Sequence, residues 1–268
     1  MKILVYGINF SPELTGIGKY TGEMCEWLVN DGNEVDVITS PPYYPNWHVE
    51  KPYKSYFYKK EKINGLNIYR CPLYVPKSLN TIKRIIHLLS FSISSILVLI
   101  SRLFSKPDIV IVIAPSFMCS PGGLFFSKLA GAKTVLHVQD FELDAMFGLG
   151  MMRRGRFSKI IFWLESFIMK RFDLVSTISR KMMQILEQKN IPKEKIFFLP
   201  NWVDIDFIKP EADNNFFNNN LKQNQATKTV LYSGNIGNKQ GLEIIIDAAF
   251  LMGDQKNIQF VICGNGSY

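Results

Sequence analysis

Residues 1–20 read MKILVYGINFSPELTGIGKY, and this stretch decides the fold class predicted for the chain. The apolar run Ile3–Ile8 has the length of a buried strand, and a loop, Asn9–Gly18, follows it. Apolar residues then recur at helical spacing over Lys19–Asp31, before a second apolar run at Val35–Thr39. A strand, a helix and a strand in this order predict a β-α-β unit with two parallel strands.

The same alternation continues along the chain, interrupted by a predicted surface loop at Pro41–Lys62 that is rich in Pro, Tyr and Lys. It predicts an α/β fold of the doubly wound, Rossmann-like type, with helices on both faces of a parallel sheet. Further strands are predicted at Leu66–Cys71, Asp108–Ile113, Thr134–Val138, Leu174–Ile178, Lys195–Leu199, Thr229–Ser233 and Ile258–Cys263, and further helices at Ile82–Phe104, Pro121–Ala130, Arg156–Arg171, Ser179–Lys189 and Leu242–Met252.

A polar, asparagine-rich tract separates two domains of this type. Residues 1–205 are predicted to form a complete N-terminal domain, residues 206–227 a linker, and residues 228–268 the start of a second Rossmann-like domain. A single β-α-β unit of this length is too small to bury a stable core. We therefore expect the second domain to be incomplete, with the chain stopping short just after Gly264 and Gly266.

The composition is that of a globular protein with a basic charge balance. The net charge is +8 and the isoelectric point about 9.2, which favours polyanionic partners. Nucleic acid is the least favoured of these, because the basic residues alternate with apolar helix faces instead of forming one stripe. No metal-ligand or redox spacing links the cysteines, which predicts reduced thiols in a cytosolic protein; they are Cys25, Cys71, Cys119 and Cys263.

Glycines in the first loop are candidates for binding an anion. Gly16 and Gly18 lie between a strand and a helix, where backbone N–H groups can point at a ligand. A nicotinamide-binding loop needs glycines closer to the strand and a third glycine one residue before Gly22. It also needs an acidic residue at the end of the second strand, and Val37–Ser40 supplies none. An oxidoreductase or epimerase is therefore disfavoured, and a plain glycine turn stays an alternative.

Two glycine-rich segments in the second domain follow predicted strands. Tyr232–Glu243 links a strand to a helix and carries Lys239, a mobile cation suited to a diphosphate. Gly264 and Gly266 end the next strand, where small residues allow a ligand to approach the carboxyl edge of the sheet. Both segments favour a phosphorylated ligand on this domain.

Together, four stretches resemble the retaining glycosyltransferases of family 4, which have the GT-B fold of two Rossmann-like domains. The resemblance covers essentially the whole chain and is greatest to bacterial exopolysaccharide and O-antigen enzymes of the colanic acid type. The stretches are PELTGIGKY at residues 12–20, HVQD at residues 137–140, PNWVD at residues 200–204 and YSGNIG at residues 232–237.

The resemblance implies that the N-terminal domain binds the acceptor and the second domain the nucleotide-sugar donor. On the acceptor side, the residues implied to face the cleft are Gly16, Ile17, Gly18 and Lys19. On the donor side, the implied diphosphate-binding residues are Gly234, Asn235, Lys239 and Gly241, with Asn201, Gly264 and Gly266 at the donor edge. Many family members have arginine where this chain has Asn235. No cofactor and no metal are implied, because cationic side chains and helix dipoles stabilise the leaving diphosphate.

The implied catalytic neighbourhood lies at the end of the strand Thr134–Val138. Many relatives carry His-Asp there, whereas this chain has Gln139 and Asp140, with His137 on the same strand face as Gln139. We expect His137 and Asp140 near the reacting sugar, and a buried core role for His137 stays an alternative. The family also has two glutamates beyond the last residue of this chain, which implies little transferase activity for the chain alone.

Two helices and a loop indicate a membrane partner. The uncharged run Ile85–Ser101 is flanked by basic residues. His87, Ser90, Ser94 and Ser101 share one stripe of it, which favours an interfacial or crossover helix over a span. Arg153–Arg171 is basic at both ends and carries Trp and Phe, and the loop Tyr53–Lys62 adds Tyr and Lys. Two ordinary helices packed on the sheet stay an alternative.

The resemblance implies a lipid-diphosphate-linked (undecaprenyl-diphosphate) saccharide as acceptor, and hence a cytoplasmic protein that is peripheral at the inner face of the plasma membrane. Two further hypotheses for the chain stay open. One is a non-catalytic, membrane-associated scaffold of a polysaccharide assembly complex. The other is a remnant of a longer enzyme.

Overall fold

The computed structural model describes residues 1–14, 16–78, 80–114, 117–141, 143–144, 156–209, 228–237, 240–255 and 257–266. The strands within these residues are β1 Lys2–Tyr6, β2 Glu34–Thr39, β3 Lys59–Ile63, β4 Leu66–Arg70, β5 Ile109–Ala114, β6 Lys133–Val138, β7 Leu174–Thr177, β8 Ile196–Phe198, β9 Lys228–Ser233 and β10 Ile258–Cys263. The α-helices are α1 Gly16–Asn30, α2 Thr81–Arg102, α3 Ser120–Ala130, α4 Arg156–Met169, α5 Arg180–Gln188 and α6 Glu243–Leu251.

The chain divides into two compact units, Met1–Trp202 (unit 1) and Val203–Tyr268 (unit 2). The predicted domain boundary, after residue 205, falls just beyond this division. Most of the predicted linker, residues 210–227, lies outside the described residues.

Unit 1 contains an eight-stranded sheet in the order β3-β4-β2-β1-β5-β6-β7-β8. All neighbouring pairs are parallel except β3 and β4, which are antiparallel. The chain leaves β1 toward β2 on one side and returns to β5 on the other, so the strand order reverses at β1. Together with the helices between the strands, this arrangement confirms the predicted α/β, Rossmann-like architecture of the first domain.

Helices cover both faces of this sheet. On one face, Cys25 of α1 packs in a cluster with Val5 and Val37, and Met24 and Leu28 of α1 lie against it. On the other face, one continuous cluster joins residues of four helices, namely Phe91 and Leu99 of α2, Phe126 of α3, Met169 of α4 and Leu186 of α5. The outer surfaces of these four helices therefore lie on the same side of the sheet.

Two elements differ from the sequence prediction. The predicted loop Asn9–Gly18 is wrong at its end, because α1 begins at Gly16 and Gly18 is buried in its first turn. The predicted surface loop Pro41–Lys62 is wrong at its end as well, because it runs into edge strand β3. The sequence of β3, KKEKI, lacks apolar alternation, since this edge strand lies largely in solvent and needs no buried face.

In unit 2, β9 and β10 form a two-stranded parallel sheet, and α6 connects them. Many of its apolar side chains are exposed, among them Val230, Ile244, Ile246 and Phe250. The described part of unit 2 is thus one β-α-β unit, as the sequence predicts, without a buried core of its own.

Candidate functional site

The carboxyl edge of the unit 1 sheet is the candidate site, because the strand order reverses there between β1 and β5. In open α/β sheets, ligands bind in the crevice outside the carboxyl ends of the strands at such a reversal. Helix α1 begins at this edge at Gly16, so its first N–H groups lie there without helical partners. Gly16 has φ of 60°, a conformation that favours glycine.

Glu13 organises the loop between β1 and α1. Its carboxylate accepts hydrogen bonds from Asn9 Nδ2 at 3.0 Å and from the backbone N–H groups of Tyr43 and Tyr44, both at 3.2 Å. Burial raises the pKa of Glu13 to about 6, against the lowering effect of these hydrogen bonds and of Arg70. Glu13 therefore fixes the loop after β2 beside the start of α1.

Gly18 is needed for this arrangement. A Cβ atom at Gly18 would lie 2.4 Å from Glu13 Oε2 and 2.7 Å from Glu13 Cβ, which no side chain can occupy. Gly18 has a packing role, because its missing side chain makes room for Glu13, and its place at the cleft stays a prediction. The motif PELTGIGKY contains Glu13, but the sequence alone does not indicate its packing against Gly18, because this packing depends on where α1 begins.

Arg70 is a second residue that sequence reasoning missed. It is almost fully buried and donates to the backbone oxygens of Ser40 at 3.0 Å and Ser11 at 2.8 Å. Its Nε also donates to Glu61 at 2.5 Å. Arg70 thus joins the segments that follow β1 and β2 at the candidate site.

Lys19 and Asn201 lie near the start of α1. Lys19 pairs with Glu23 at 3.2 Å, and Glu23 also accepts a hydrogen bond from Trp202 Nε1 at 2.7 Å. Trp202 also contacts the ring of Tyr20 edge to face. The segment that carries Asn201 is therefore held against α1. Within the described residues, Asn201 Oδ1 is buried without a hydrogen-bond partner.

His137 and Asp140 lie at the carboxyl end of β6, two strands away from β1 in the sheet order. His137 is buried, and its Nδ1 lies 2.9 Å from Ser176 Oγ on β7. Burial lowers its pKa to about 4, so the imidazole is neutral at physiological pH. Asp140, by contrast, is exposed. Of the two predicted catalytic residues, only Asp140 presents its side chain to solvent at this edge.

In unit 2, the predicted donor-side glycines come together at the carboxyl ends of β9 and β10. Gly234 N–H donates to Cys263 O and Ile236 N–H to Asn265 O, both at 3.0 Å, so the pairing of the strands continues past their ends. A Cβ atom at Gly264 would lie 1.8 Å from Gly234 O. A Cβ atom at Gly266 would lie 1.7 Å from Ile236 O. The neighbouring backbone therefore fills the space that a side chain at either glycine would need, and their role at the donor edge stays a prediction.

The remaining donor-side residues flank this pairing. The backbone oxygen of Asn235 accepts a hydrogen bond from Tyr232 Oη at 2.7 Å. Gly241 precedes α6 with φ of 61°, which favours glycine. The predicted diphosphate cation Lys239 lies outside the described residues. In the described part of the chain, there is no cluster of His, Cys, Asp or Glu that could hold a metal ion.

The family profile described as "Glycosyl transferase 4-like domain" matches residues 15–202. The colanic acid biosynthesis glycosyl transferase WcaI of Escherichia coli K12 is 48% identical over 271 residues, which is 99% of this chain and 66% of that protein. The chain thus spans about two thirds of the length of this curated relative.

Two solved structures have a similar fold at low sequence identity. The catalytic domain of starch synthase IV from Arabidopsis thaliana, bound to ADP and acarbose, has a TM-score of 0.65 at 15% identity, over 99% of this chain and 69% of that chain. HepE from Anabaena, bound to UDP and glucose, has a TM-score of 0.61 at 15% identity, over 100% of this chain and 62% of that chain.

Proposed function

Because the chain belongs to the glycosyl transferase 4-like family, we propose that it transfers a sugar from a nucleotide-sugar donor to a lipid-diphosphate-linked saccharide, with retention of configuration, in polysaccharide biosynthesis. The observation that carries this proposal is the 48% identity to WcaI across 99% of the chain. The starch synthase structure contains ADP and acarbose, and the HepE structure contains UDP and glucose, which supports a nucleotide-sugar donor here.

Unit 1 is the acceptor side in this proposal, and Asp140 is its polar contact near the reacting sugar. The exposed carboxylate at the end of β6 can accept a hydrogen bond from a sugar hydroxyl. His137 acts as a positioning residue, since its neutral imidazole contacts Ser176 and ties the ends of β6 and β7 together. Neither group needs a metal ion or a cofactor for this role.

Unit 2 is the donor side. The segment from Gly234 to Gly237 follows β9 and is fixed by its pairing with the segment after β10. Backbone N–H groups before a helix favour a diphosphate, and Lys239 would add a cation. Many apolar side chains of unit 2 are exposed, so the elements that hold this segment are weakly packed. We therefore expect the 268-residue chain alone to transfer sugar slowly or not at all.

The proposal is tested with a chimera in which the C-terminal third of WcaI follows residue 266. It is assayed for transfer from a panel of nucleotide sugars to a lipid-diphosphate-linked saccharide. We expect turnover, and a loss of about a hundredfold in kcat for Asp140→Asn, since removing one polar contact to the transition state has effects of this size. Asp31→Asn, at an exposed acid on the opposite edge of the sheet, is the control.

If the chimera binds acceptor lipid but no nucleotide sugar is consumed, the transferase proposal is wrong and a scaffold role takes its place. If Asp140→Asn has the activity of Asp31→Asn, the role of Asp140 is wrong and the transferase proposal stands. Measured turnover by the 268-residue chain alone would refute the expectation of low activity.

We also propose that unit 1 is peripheral at the inner face of the plasma membrane, through the outer surface of α2, α3 and α4. Two polar side chains of α2 face the fold, since Ser95 Oγ lies 2.6 Å from Tyr6 Oη and His87 Nδ1 lies 2.6 Å from Tyr74 O. Its exposed stripe is apolar and includes Ile82, Ile86, Ile93, Leu97 and Ile100. The segment Thr81–Ser105 is long and apolar enough to span a membrane, but these contacts hold it against the sheet.

Charge favours an anionic leaflet over a protein partner for this surface. Glu165 is the sole acidic residue of α2, α3 and α4, and it is buried beside Lys189. The apolar surface of α2 extends to the exposed residues Phe125 and Leu129 on α3 and Trp163 and Leu164 on α4. Apolar faces with basic residues and no exposed acid are typical of helices that lie in a membrane interface.

Sedimentation with phosphatidylglycerol vesicles at low salt tests this docking. We expect Ile93→Asn/Leu97→Asn to weaken binding at least about tenfold, since two aliphatic side chains no longer enter the lipid. Trp27→Asn, at an exposed aromatic residue of α1 on the opposite face, should bind like the original chain. Equal binding by both variants would contradict the proposal, and so would a dimer in solution that Ile93→Asn/Leu97→Asn disrupts.

A further inference from the structure

A cavity of about 660 Å³ lies at the carboxyl edge of the unit 1 sheet, between the loop after β2 and the segment after β4. Its lining includes Trp47, His48, Lys51, Lys54, Tyr56 and Lys77. This volume is in the range of sites for small ligands.

The wall of this cavity that carries Trp47 is anchored to the fold. Trp47 packs edge to face on Tyr43 at 5.5 Å between ring centroids and lies 5.1 Å from the His87 ring of α2. The backbone N–H of Tyr43 in turn donates to Glu13. The loop after β2 is therefore tied both to the candidate site and to α2.

The lining is strongly basic. It contains the exposed side chains of Lys51, Lys54 and Lys77 and no Asp or Glu. None of the three lysines forms an ion pair with a carboxylate among the residues that the structure describes. Three unpaired ammonium groups around one cavity attract a ligand with more than one negative charge. Trp47 and Tyr56 add aromatic surface, on which a sugar ring or an apolar chain can pack.

An apolar surface begins next to this cavity. On α2, His87, which contacts Trp47, comes directly after Ile86 and five residues after Ile82, and both isoleucines are exposed. A molecule with a charged head in the cavity can therefore place an apolar tail along α2. This combination of a basic cavity and an apolar helix face fits an amphiphile better than a free anion.

We propose that this cavity binds the diphosphate of a polyprenyl-diphosphate-linked saccharide, with the lipid chain leaving along α2. The proposal rests on the lipid-linked acceptor of the proposed function and adds the place and the residues of its recognition. The three lysines neutralise the diphosphate, and Trp47 and Tyr56 pack against the groups on either side of it. The cavity is distinct from the donor diphosphate site proposed on unit 2.

The test measures the binding of geranylgeranyl diphosphate in nonionic micelles to the 268-residue chain, by calorimetry and by the change in Trp fluorescence. Inorganic pyrophosphate and GDP are titrated in parallel. We expect one site that binds the lipid diphosphate most tightly and pyrophosphate more weakly. In the variant Lys51→Gln/Lys54→Gln/Lys77→Gln, we expect binding of the lipid diphosphate to fall about a hundredfold, since three charge-assisted contacts are lost.

A matched triple variant controls for net charge. Lys2, Lys106 and Lys133 are exposed at the opposite, amino edge of the same sheet, so Lys2→Gln/Lys106→Gln/Lys133→Gln removes the same charge without touching the cavity. It should bind the lipid diphosphate as the original chain does. Trp47→Phe should lose most of the ligand-induced fluorescence change, which would place the ligand beside Trp47, and calorimetry measures its binding separately.

Equal losses in the two triple variants would overturn the proposal, because binding would then depend on net charge alone. Tight binding of GDP that the cavity variant abolishes, without binding of the lipid diphosphate, would overturn it in favour of a nucleotide site. A WcaI chimera that transfers sugar normally with the three cavity lysines replaced would refute the cavity but leave the proposed function. A chimera that binds lipid diphosphate in the cavity but has no turnover would refute the proposed function and leave the cavity proposal.

Discussion

At the scale of single residues, Glu13 and His137 are two buried ionisable groups with opposite effects on stability as pH changes. The folded protein holds the proton of Glu13 more tightly than the unfolded chain does, because burial raises its pKa from 4.5 to about 6. It holds the proton of His137 less tightly, because burial lowers its pKa from 6.5 to about 4. Each group therefore favours folding in a different pH range.

For Glu13, the contribution to folding is present below pH 4.5 and is lost as pH rises through about 6. The pKa difference corresponds to about 2 kcal/mol. We expect the original chain to lose about 2 kcal/mol of unfolding free energy relative to Glu13→Gln between pH 4.5 and pH 7.5. Urea denaturation of both proteins across this range measures it. A difference between the two proteins that does not change with pH would contradict the prediction.

For His137, the contribution is present above pH 6.5 and is lost as pH falls through about 4. Here the pKa difference corresponds to about 3 kcal/mol. We expect the original chain to lose up to this amount relative to His137→Asn between pH 6.5 and pH 4. NMR titration gives a direct check, with the signal assigned by its absence in His137→Asn. A His137 signal that titrates near pH 6.5 would show that the side chain is open to water.

At the scale of elements, α2 depends on its first turn, because its outer face has no protein partner among the described residues. Asn80 caps this helix, and its side-chain oxygen accepts the N–H of Lys83 at 2.8 Å. We expect Asn80→Ala to lower the free energy of unfolding by about 1 kcal/mol, as the loss of such caps does. Asn80→Ser should retain most of the stability. Equal free energies of unfolding for Asn80→Ala and Asn80→Ser in thermal and urea denaturation would count against a stabilising cap.

Elements also differ in how well the sequence predicts them. The parallel strands of unit 1 are predictable because they are apolar and buried, as in β5, IVIVIA. Strand β3 is not predictable from the sequence, since its five residues pair only at the edge of the sheet and include three lysines. The start of α1 is not predictable either. Its two glycines, Gly16 and Gly18, have low helix propensity, but the packing of Gly18 against Glu13 outweighs this low propensity.

At the scale of the whole molecule, unit 1 contains nearly all of the buried apolar residues in the described part of the chain, in two clusters on the two faces of one sheet. We expect a fragment of residues 1–202 to unfold in one cooperative transition, and a fragment of residues 203–268 to lack one, because a single β-α-β unit buries too little surface. Circular dichroism during heating measures both. A cooperative transition in the shorter fragment would contradict this account of unit 2.

Apolar periodicity and motif order are local properties of the chain, so the α/β class, the positions of the buried strands and the family follow from the amino-acid sequence. What each candidate residue contacts depends on the folded structure. It buries His137 and exposes Asp140 although they are three residues apart. It also brings Glu13, Tyr43 and Arg70 to one edge of the sheet, and it turns the apolar face of α2 outward. Such contacts join residues far apart in the chain, so no pattern within one segment predicts them.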